Sequence, residues 1–507
     1  MRTSALSCAV LGAFVLFTSF ACNKEDPNSS AYWLGKAKDP KERSEALRQI
    51  GRLGKTSDSS VVKKVLGYLQ EEGEWQPDAA YALGELGDKS VSQELVKQID
   101  FNANPNDRFG RVKTSTNQAI ARALARLRSA DGVDPLVRLA ARADDRTRET
   151  AIRALGDLGD KSATDPLLGF LSPETPAPLA RTAVSALGAL RDGKAAPRLV
   201  VMLYEERGEM TFYDEARFAL IQIGEPAVQV LTQTIERKND QVEKLKLANG
   251  KTLPEGAVEA RAGSVLGAMR AKSAEGVLIA TLGKLYGKYK QAKDDNMAGA
   301  VVELAYALGY LGTPEAAKAL HPLAEDTDLA IRVAAVEALT ASGDMSALPV
   351  LVKATQTGGD DARRAAIVAV TRLGDASHLE SFATLAKDEQ LAASVQDDKV
   401  RLEAAAQCKA DSACWRGKLA DANPRVRERA AYQLGWAGDK AAKDVLMKSA
   451  EDSVPEVRFA SVLSLERLGA VDAKLLRAIQ ERAGDRMEYR AVNAEIARVL
   501  AASRETN

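Results

Sequence analysis

Arg153-Ala-Leu-Gly-Asp-Leu-Gly-Asp160 is a phrase that this chain repeats. Close copies are Tyr81-Ala-Leu-Gly-Glu-Leu-Gly-Asp88, Tyr306-Ala-Leu-Gly-Tyr-Leu-Gly312 and Gln433-Leu-Gly-Trp-Ala-Gly-Asp439. Looser ones are Gln49-Ile-Gly-Arg-Leu-Gly54, Ala186-Leu-Gly-Ala-Leu-Arg191, Ala219-Leu-Ile-Gln-Ile-Gly224 and Val370-Thr-Arg-Leu-Gly374. The last residue of the phrase recurs about every 32 residues from Gly54 to near Ala502, which makes about 14 units. A fixed period of this size marks a repeat array rather than a string of separate domains.

Each unit reads as two helices. Upstream of the register mark, apolar residues fall at helical spacing, as in Val426, Ala430, Leu434 and Ala437, or Val457, Ala460, Leu463 and Leu468. The glycine at the mark suits a helix end, where a left-handed residue stops the chain. The Asp that follows (Asp88, Asp160, Asp375, Asp439) suits the N-cap of a second helix. That helix carries its own apolar positions, such as Leu95, Val96 and Ile99. One helix pair cannot bury both faces, so neighbours must stack into a continuous core. The expected fold is therefore all-α, an α-solenoid of about 14 helix pairs spanning residues 31–507.

Asp326 and Arg332, Asp421 and Arg427, and Asp452 and Arg458 lie six apart, with Val or Ile before each Arg. Arg43, Arg148 and Arg363 share the register without the same Asp. This pattern on a helix-turn-helix resembles the HEAT repeat, in the short form named after phycobilisome lyase subunits. The resemblance implies a right-handed solenoid, a structural Asp–Arg ladder between repeats, and a concave side lined by the Arg-bearing helices. It implies no single function, since such repeats serve many.

The period stretches at three places: residues 101–117, 236–256 and 284–299. Insertions in solenoids go to loops on one face, so these are candidate functional segments. The last holds Lys284, Tyr286, Lys288, Tyr289, Lys290 and Lys293, with no acid before Asp294. Such a segment fits an acidic partner surface, a lipid head group or a glycan, or else a solvated helix end. Tyr310 and Trp436 occupy the variable position of the phrase. They are candidate partner contacts on the concave side, or residues half-buried against the next repeat. Tyr32, Trp33 and Leu34 are expected to cap the open N-terminal end of the stack.

The first 22 residues read MRTSALSCAVLGAFVLFTSFAC. The apolar stretch is shorter than the roughly 20 residues of a membrane span and suits a signal-peptide core over residues 1–21. Ala21-Cys22 resembles a bacterial lipoprotein signal, which implies acylation of Cys22 and a polar tether over residues 22–30. Ordinary secretion with cleavage near Ala21, or an uncleaved anchor, are the alternatives. Two mature cysteines remain, Cys408 and Cys414, which in an exported chain read as one local disulfide. Their C-x5-C spacing departs from the C-x-x-C of redox-active pairs. The expected place is the cell envelope, as an outer-membrane lipoprotein facing the periplasm or the cell surface.

The 70 basic residues are matched by 70 acidic ones, which argues against nucleic acid as a partner. Only two histidines, His321 and His378, are present, and neither is followed by Glu. The di-iron site of deoxyhypusine hydroxylase, an enzyme built from HEAT-like repeats, uses His-Glu pairs, so that site is not expected here. No phosphate-binding loop, dinucleotide fingerprint or G-x-S-x-G elbow occurs. Acidic pairs such as Asp144-Asp145, Asp294-Asp295 and Asp397-Asp398 are explained by capping. No catalytic residue, metal or cofactor is therefore expected. The expected function is a non-enzymatic protein-binding scaffold with an unidentified protein partner and a lipid anchor in the membrane. An assembly or chaperone-like factor for an exported complex, or an accessory subunit or enzyme of the hydroxylase- and lyase-like superfamily, are the alternatives.

Overall fold

The computed structural model describes residues 26–247, 250–484, 487 and 490–502. The signal segment and Cys22 lie outside these residues. Residues up to Leu127 form one compact unit and residues from Arg128 a second.

Both units are stacks of helix pairs, and the phrase marks one helix of each pair. In the first unit the phrase helices are α1 (Arg43–Leu53), α2 (Gln76–Leu86) and α3 (Arg108–Leu127). In the second they are α4 (Asp145–Leu158), α5 (Ala177–Leu190), α6 (Tyr213–Ile223), α7 (Ala257–Ala268), α8 (Asp295–Leu311), α9 (Leu329–Ser342) and α10 (Asp360–Leu373). The same unit continues with α11 (Val400–Cys408), α12 (Pro424–Trp436), α13 (Pro455–Arg467) and α14 (Arg490–Ala502). Fourteen phrase helices thus stand among the described residues, in agreement with the period.

The two glycines of the phrase do different work. The last one ends the helix: Gly159 sits at φ 79°, and Gly312 and Gly343 at 64° and 73°. A side chain there would crowd the following carbonyl. The middle glycine lets helices touch. A Cβ on Gly309 would lie 2.7 Å from the Cα of Ala338, and one on Gly84 2.8 Å from the Cα of Ala123. Gly156 meets Ala186 in the same way, and Gly188 meets Ala219. Phrase helices therefore stack backbone to backbone, while the second helices, many of six or seven residues, pack more loosely. The core between them is Leu, Ala, Val and Ile, as in Leu83, Leu124, Leu155, Leu308 and Leu339, all buried.

The capping Asp residues behave as expected, with one refinement. Asp88, Asp160, Asp375 and Asp439 each accept from the amide two residues on, and each opens a short 3-10 turn that leads into the second helix. Gly374 departs from the expected helix end, with φ −68° and an extended backbone. At the N-terminal end Ser29 caps the helix Ser30–Lys36, Leu34 is buried, and the Trp33 indole donates to the Pro27 carbonyl at 2.8 Å.

The three stretched intervals differ in kind. Within 101–117, the chain turns through residues 101–107 and then extends α3. Asn117 locks this turn, accepting from the Asp100 amide at 3.0 Å and donating to its carbonyl at 2.7 Å. Residues 236–256 contain the short turn Asp240–Glu243 and an isolated bridge between Lys246 and Thr252. Residues 284–299 form no loop of their own: the helix Glu275–Ala292 runs on through them, and Asp294 caps α8. One departure from all-helical structure was not expected. A hairpin of β1 (Glu206–Arg207) and β2 (Met210–Thr211) precedes α6, tied back by Arg207 to the carbonyls of Leu171 and Thr175.

Candidate binding surface

The ladder arginines come first, because they fix how the phrase helices present themselves. Each reaches back to its own repeat: Arg332 Nε donates to the Asp326 carbonyl at 2.7 Å, Arg427 Nη1 to the Asp421 carbonyl at 2.9 Å, and Arg458 to the Asp452 carbonyl. Arg43 does the same to Ala37. The forward reach varies. Arg427 grips the Asp452 carboxylate with two bonds of 2.8 and 2.9 Å, Arg363 reaches Asp388 at 2.7 Å, and Arg332 settles on the Thr357 carbonyl. Burial works against the Asp452 charge, yet Arg427 and the Val454 amide hold its carboxyl below the usual range. The Asp421 carboxylate instead takes the Asn423 amide and Lys418.

Three lysines of the basic segment pair with acids of their own unit. Lys284 and Lys288 both hold Glu255, at 2.8 and 2.6 Å, and their bonds bring its carboxyl down to about 2. Lys290 pairs with Asp326 at 3.1 Å. The hydroxyls of Tyr286 and Tyr289 donate to Asp326 and Asp328, at 2.5 and 2.8 Å. Lys293 ends the helix in the left-handed region, its ammonium 4.5 Å from the Tyr289 ring. The chain lacks a local acid here, but the fold supplies Glu255, Asp326 and Asp328.

Tyr310 and Trp436 are drawn into a seam inside the second unit. There α12, α13 and α14 come back against α6 and the ends of α7–α10. Tyr310 lies under two guanidiniums, Arg270 at 5.9 Å and Arg498 at 5.6 Å from its ring. Glu466 joins those two arginines, at 2.8 and 2.5 Å. Arg498 also holds Glu495 at 2.6 Å. Trp436 stacks on Tyr432 at 5.2 Å between ring centres, and its indole closes on Gly343. Burial raises the Tyr432 hydroxyl to about 12, and burial with Arg401 nearby lowers Arg429 to about 9. These aromatics serve a contact within the chain. Arg270, Glu466, Arg467, Arg429 and Arg498 were not singled out from sequence. A signal was present: Arg270 stands where the phrase elsewhere ends in glycine, at φ 51°, and Glu466 stands where the phrase has its close-approach glycine.

Cys408 and Cys414 are joined in a disulfide. It braces the turn after α11, where the buried Trp415 indole donates to the Lys409 carbonyl at 2.9 Å. His378 meets Asp375 at 3.2 Å, and His321 opens a separate 3-10 turn, His321–Glu325. Among the described residues, no three His, Cys, Asp or Glu side chains are placed to hold a metal ion, and no helix is long and apolar enough to cross a membrane.

Side chains on the phrase helices away from the seam remain open. In the first unit Tyr81 is 39% exposed, Arg126 pairs with Glu85 at 2.6 Å on the surface, and Phe109 stands out at 80%. In the second unit Arg153 and Glu149 pair at 2.7 Å with both side chains largely in solvent.

No curated protein matches the chain. Among solved structures, Kap121p bound to Pho4p is similar at 13% identity over 94% of this chain and 55% of that one, with a TM-score of 0.46. Kap121p bound to Nup53p is similar at 13% identity over 92% and 52%, with a TM-score of 0.43. Human deoxyhypusine hydroxylase in complex with glycerol is 19% identical over 62% of this chain and 96% of its own, with a TM-score of 0.22. The chain thus spans about half the length of Kap121p. The HEAT-repeat family model matches residues 113–178, 291–371 and 416–501, so these stretches are HEAT repeats set within a solenoid-like array of helix pairs.

Proposed function

We propose that this chain is a non-enzymatic protein-binding scaffold, its repeats of the short HEAT form, held at the bacterial cell envelope by a lipid on Cys22. The supporting observation is that, within each unit, close-packed phrase helices carry open positions whose chemistry changes from one repeat to the next. The backbone is held by glycine–alanine contacts such as Gly84 on Ala123 and Gly156 on Ala186. The outward side chains vary: Tyr81 and Glu85 on α2, Arg122 and Arg126 on α3, Glu149 and Arg153 on α4. A stiff frame with variable side chains is how solenoids present a binding surface. The Lys284–Lys293 segment, three of whose lysines pair within the unit, and the seam residues Tyr310 and Trp436 are left outside the proposed surface.

Crosslinking in cells followed by mass spectrometry tests the reading. A protein partner is expected to crosslink near these phrase helices. Tyr81→Ala and Arg153→Glu are each expected to weaken its capture about tenfold, in the range of interface hot spots. Capture unchanged by both variants would remove the phrase-helix surface. Cys22→Ser is expected to move the protein from the membrane to the soluble fraction, and continued membrane association would remove the anchor.

A further inference from the structure

Neighbouring repeats meet mainly through apolar, close contacts, with ladder pairs such as Arg427–Asp452 beside them. The seam that brings α12–α14 back against α6 and the ends of α7–α10 carries a different set of bonds. Arg498 donates to the Ala268 carbonyl at 2.8 Å, across 230 residues of chain. Arg467 donates to the Ala341 carbonyl, and Arg429 to the carbonyls of Leu373 and Gly374 at 3.3 and 3.2 Å. Each acceptor lies in the last turn or cap of a phrase helix, where carbonyls lack partners and the negative end of the helix dipole sits. Arg270 serves α8 in the same way through the Tyr310 carbonyl at 2.7 Å, and then reaches Glu466 on α13. Successive arm helices thus supply one capping arginine each.

The array is also thin where it turns. α11 has nine residues, carries Ala404 where the phrase has glycine, and touches α10 and α12 much less than most phrase helices touch their neighbours; α6 touches α7 similarly little. By contrast α12 and α13 pack closely, with Gly435 against Ser464.

We infer that α12–α14 form a self-docked arm, hinged at α11 and held by a polar latch, whose opening uncovers Tyr310, Tyr432 and Trp436. The physical reason is the chemistry of the seam. Taking paired charges and helix-end carbonyls out of water costs nearly what their attraction returns. In the open arm the same groups are hydrated, so breaking the latch itself sacrifices little and opening exposes mainly the three aromatics and the contact of α14 with α6, whereas separating adjacent repeats exposes the continuous core. Glu428, held by Arg401 of α11 at 2.5 Å and by Arg372 of α10, marks the pivot. This inference stands on the seam alone and does not depend on the partner surface proposed above.

The test is hydrogen exchange and small-angle scattering on the full chain. In Arg467→Ala/Arg498→Ala, amide exchange at the ends of α7 and α9 is expected to rise at least tenfold. The radius of gyration is expected to grow, with protection inside α12 and α13 unchanged. Unmutated protein provides the second measurement. Raising the salt from 0.1 M to 1 M shortens the screening length from about 10 Å to about 3 Å, and the same amides are expected to loosen together. Two results overturn the latch. One is loss of protection within α12 and α13 along with the ends, which means the arm unfolds rather than undocks. The other is unchanged exchange and radius in both the variant and high salt.

Discussion

Gly309 offers the sharpest check on how the repeats are held together. A Cβ added there would lie 2.7 Å from the Cα of Ala338, 2.8 Å from its Cβ and 2.8 Å from its carbonyl oxygen. Carbon atoms in good contact sit about 3.5–4.0 Å apart. The two helices would have to separate by roughly 1 Å, and two of the three obstructing atoms are backbone, which no rotamer change can move. Overpacking of this kind costs about 1–3 kcal/mol. Replacing a helical glycine by alanine returns about 1 kcal/mol through propensity. The crowding falls on main chain, so Gly309→Ala is expected to destabilise by a net of about 1–2 kcal/mol.

Gly283 supplies the control. It sits in the helix Glu275–Ala292, exposed, with nothing within 4 Å of where a Cβ would stand. Gly283→Ala is expected to stabilise by about 1 kcal/mol. The two variants share one chemical change and differ in sign. Urea unfolding followed by circular dichroism reads both, and hydrogen exchange places the effect. The loss in Gly309→Ala should concentrate in α8 and α9, because repeats feel mainly their neighbours. If Gly309→Ala matched Gly283→Ala, close glycine–alanine contact would not be what holds the row.

The ladder is unequal, so Asp452→Ala, which strands the doubly bonded Arg427, is expected to cost about 2 kcal/mol in urea unfolding against about 1 kcal/mol for Asp421→Ala. Equal costs would refute that ranking. The Glu255 carboxyl lies at about 2, below its ordinary value of 4.5, so its contribution is present above the ordinary value and is lost as pH falls towards 2. Glu255→Gln should flatten acid destabilisation in that window, as seen in melting temperature against pH, and an unchanged slope would refute it. Peptide mapping without reductant should recover Cys408 joined to Cys414, and reduction should cost roughly 2 kcal/mol for so short a loop; free alkylatable thiols would contradict the pairing.

What could be read from sequence was what repeats locally. The phrase located fourteen helices among the described residues, since its Leu and Ala positions and terminal glycine act within one or two repeats. The Lys284–Lys293 segment shows where such reading fails. Its charge was counted along the chain, and Glu255 and Asp326 approach from neighbouring repeats. The β1–β2 hairpin escaped for another reason. The second helix before it, Ala196–Met202, has only seven residues, so the hairpin fits an interval of ordinary length and leaves no gap in the period.

The seam escaped because periodicity reports contacts one repeat away. Its bonds join residues 126, 196 and 230 positions apart, and no pattern of fixed spacing encodes such pairs. What the sequence does carry is the departure from its own rule. Arg270 accepts left-handed strain that glycine would avoid, and Glu466 takes the place where glycine would let the next helix close in. Each departure weakens the local stack, and a substitution that harms its own repeat calls for a partner elsewhere. In this fold the two residues are each other's partners, 2.8 Å apart. In a repeat array, then, the positions that break the consensus at a structural cost are where long-range contacts should be sought, ahead of variable positions such as Tyr310 that break nothing.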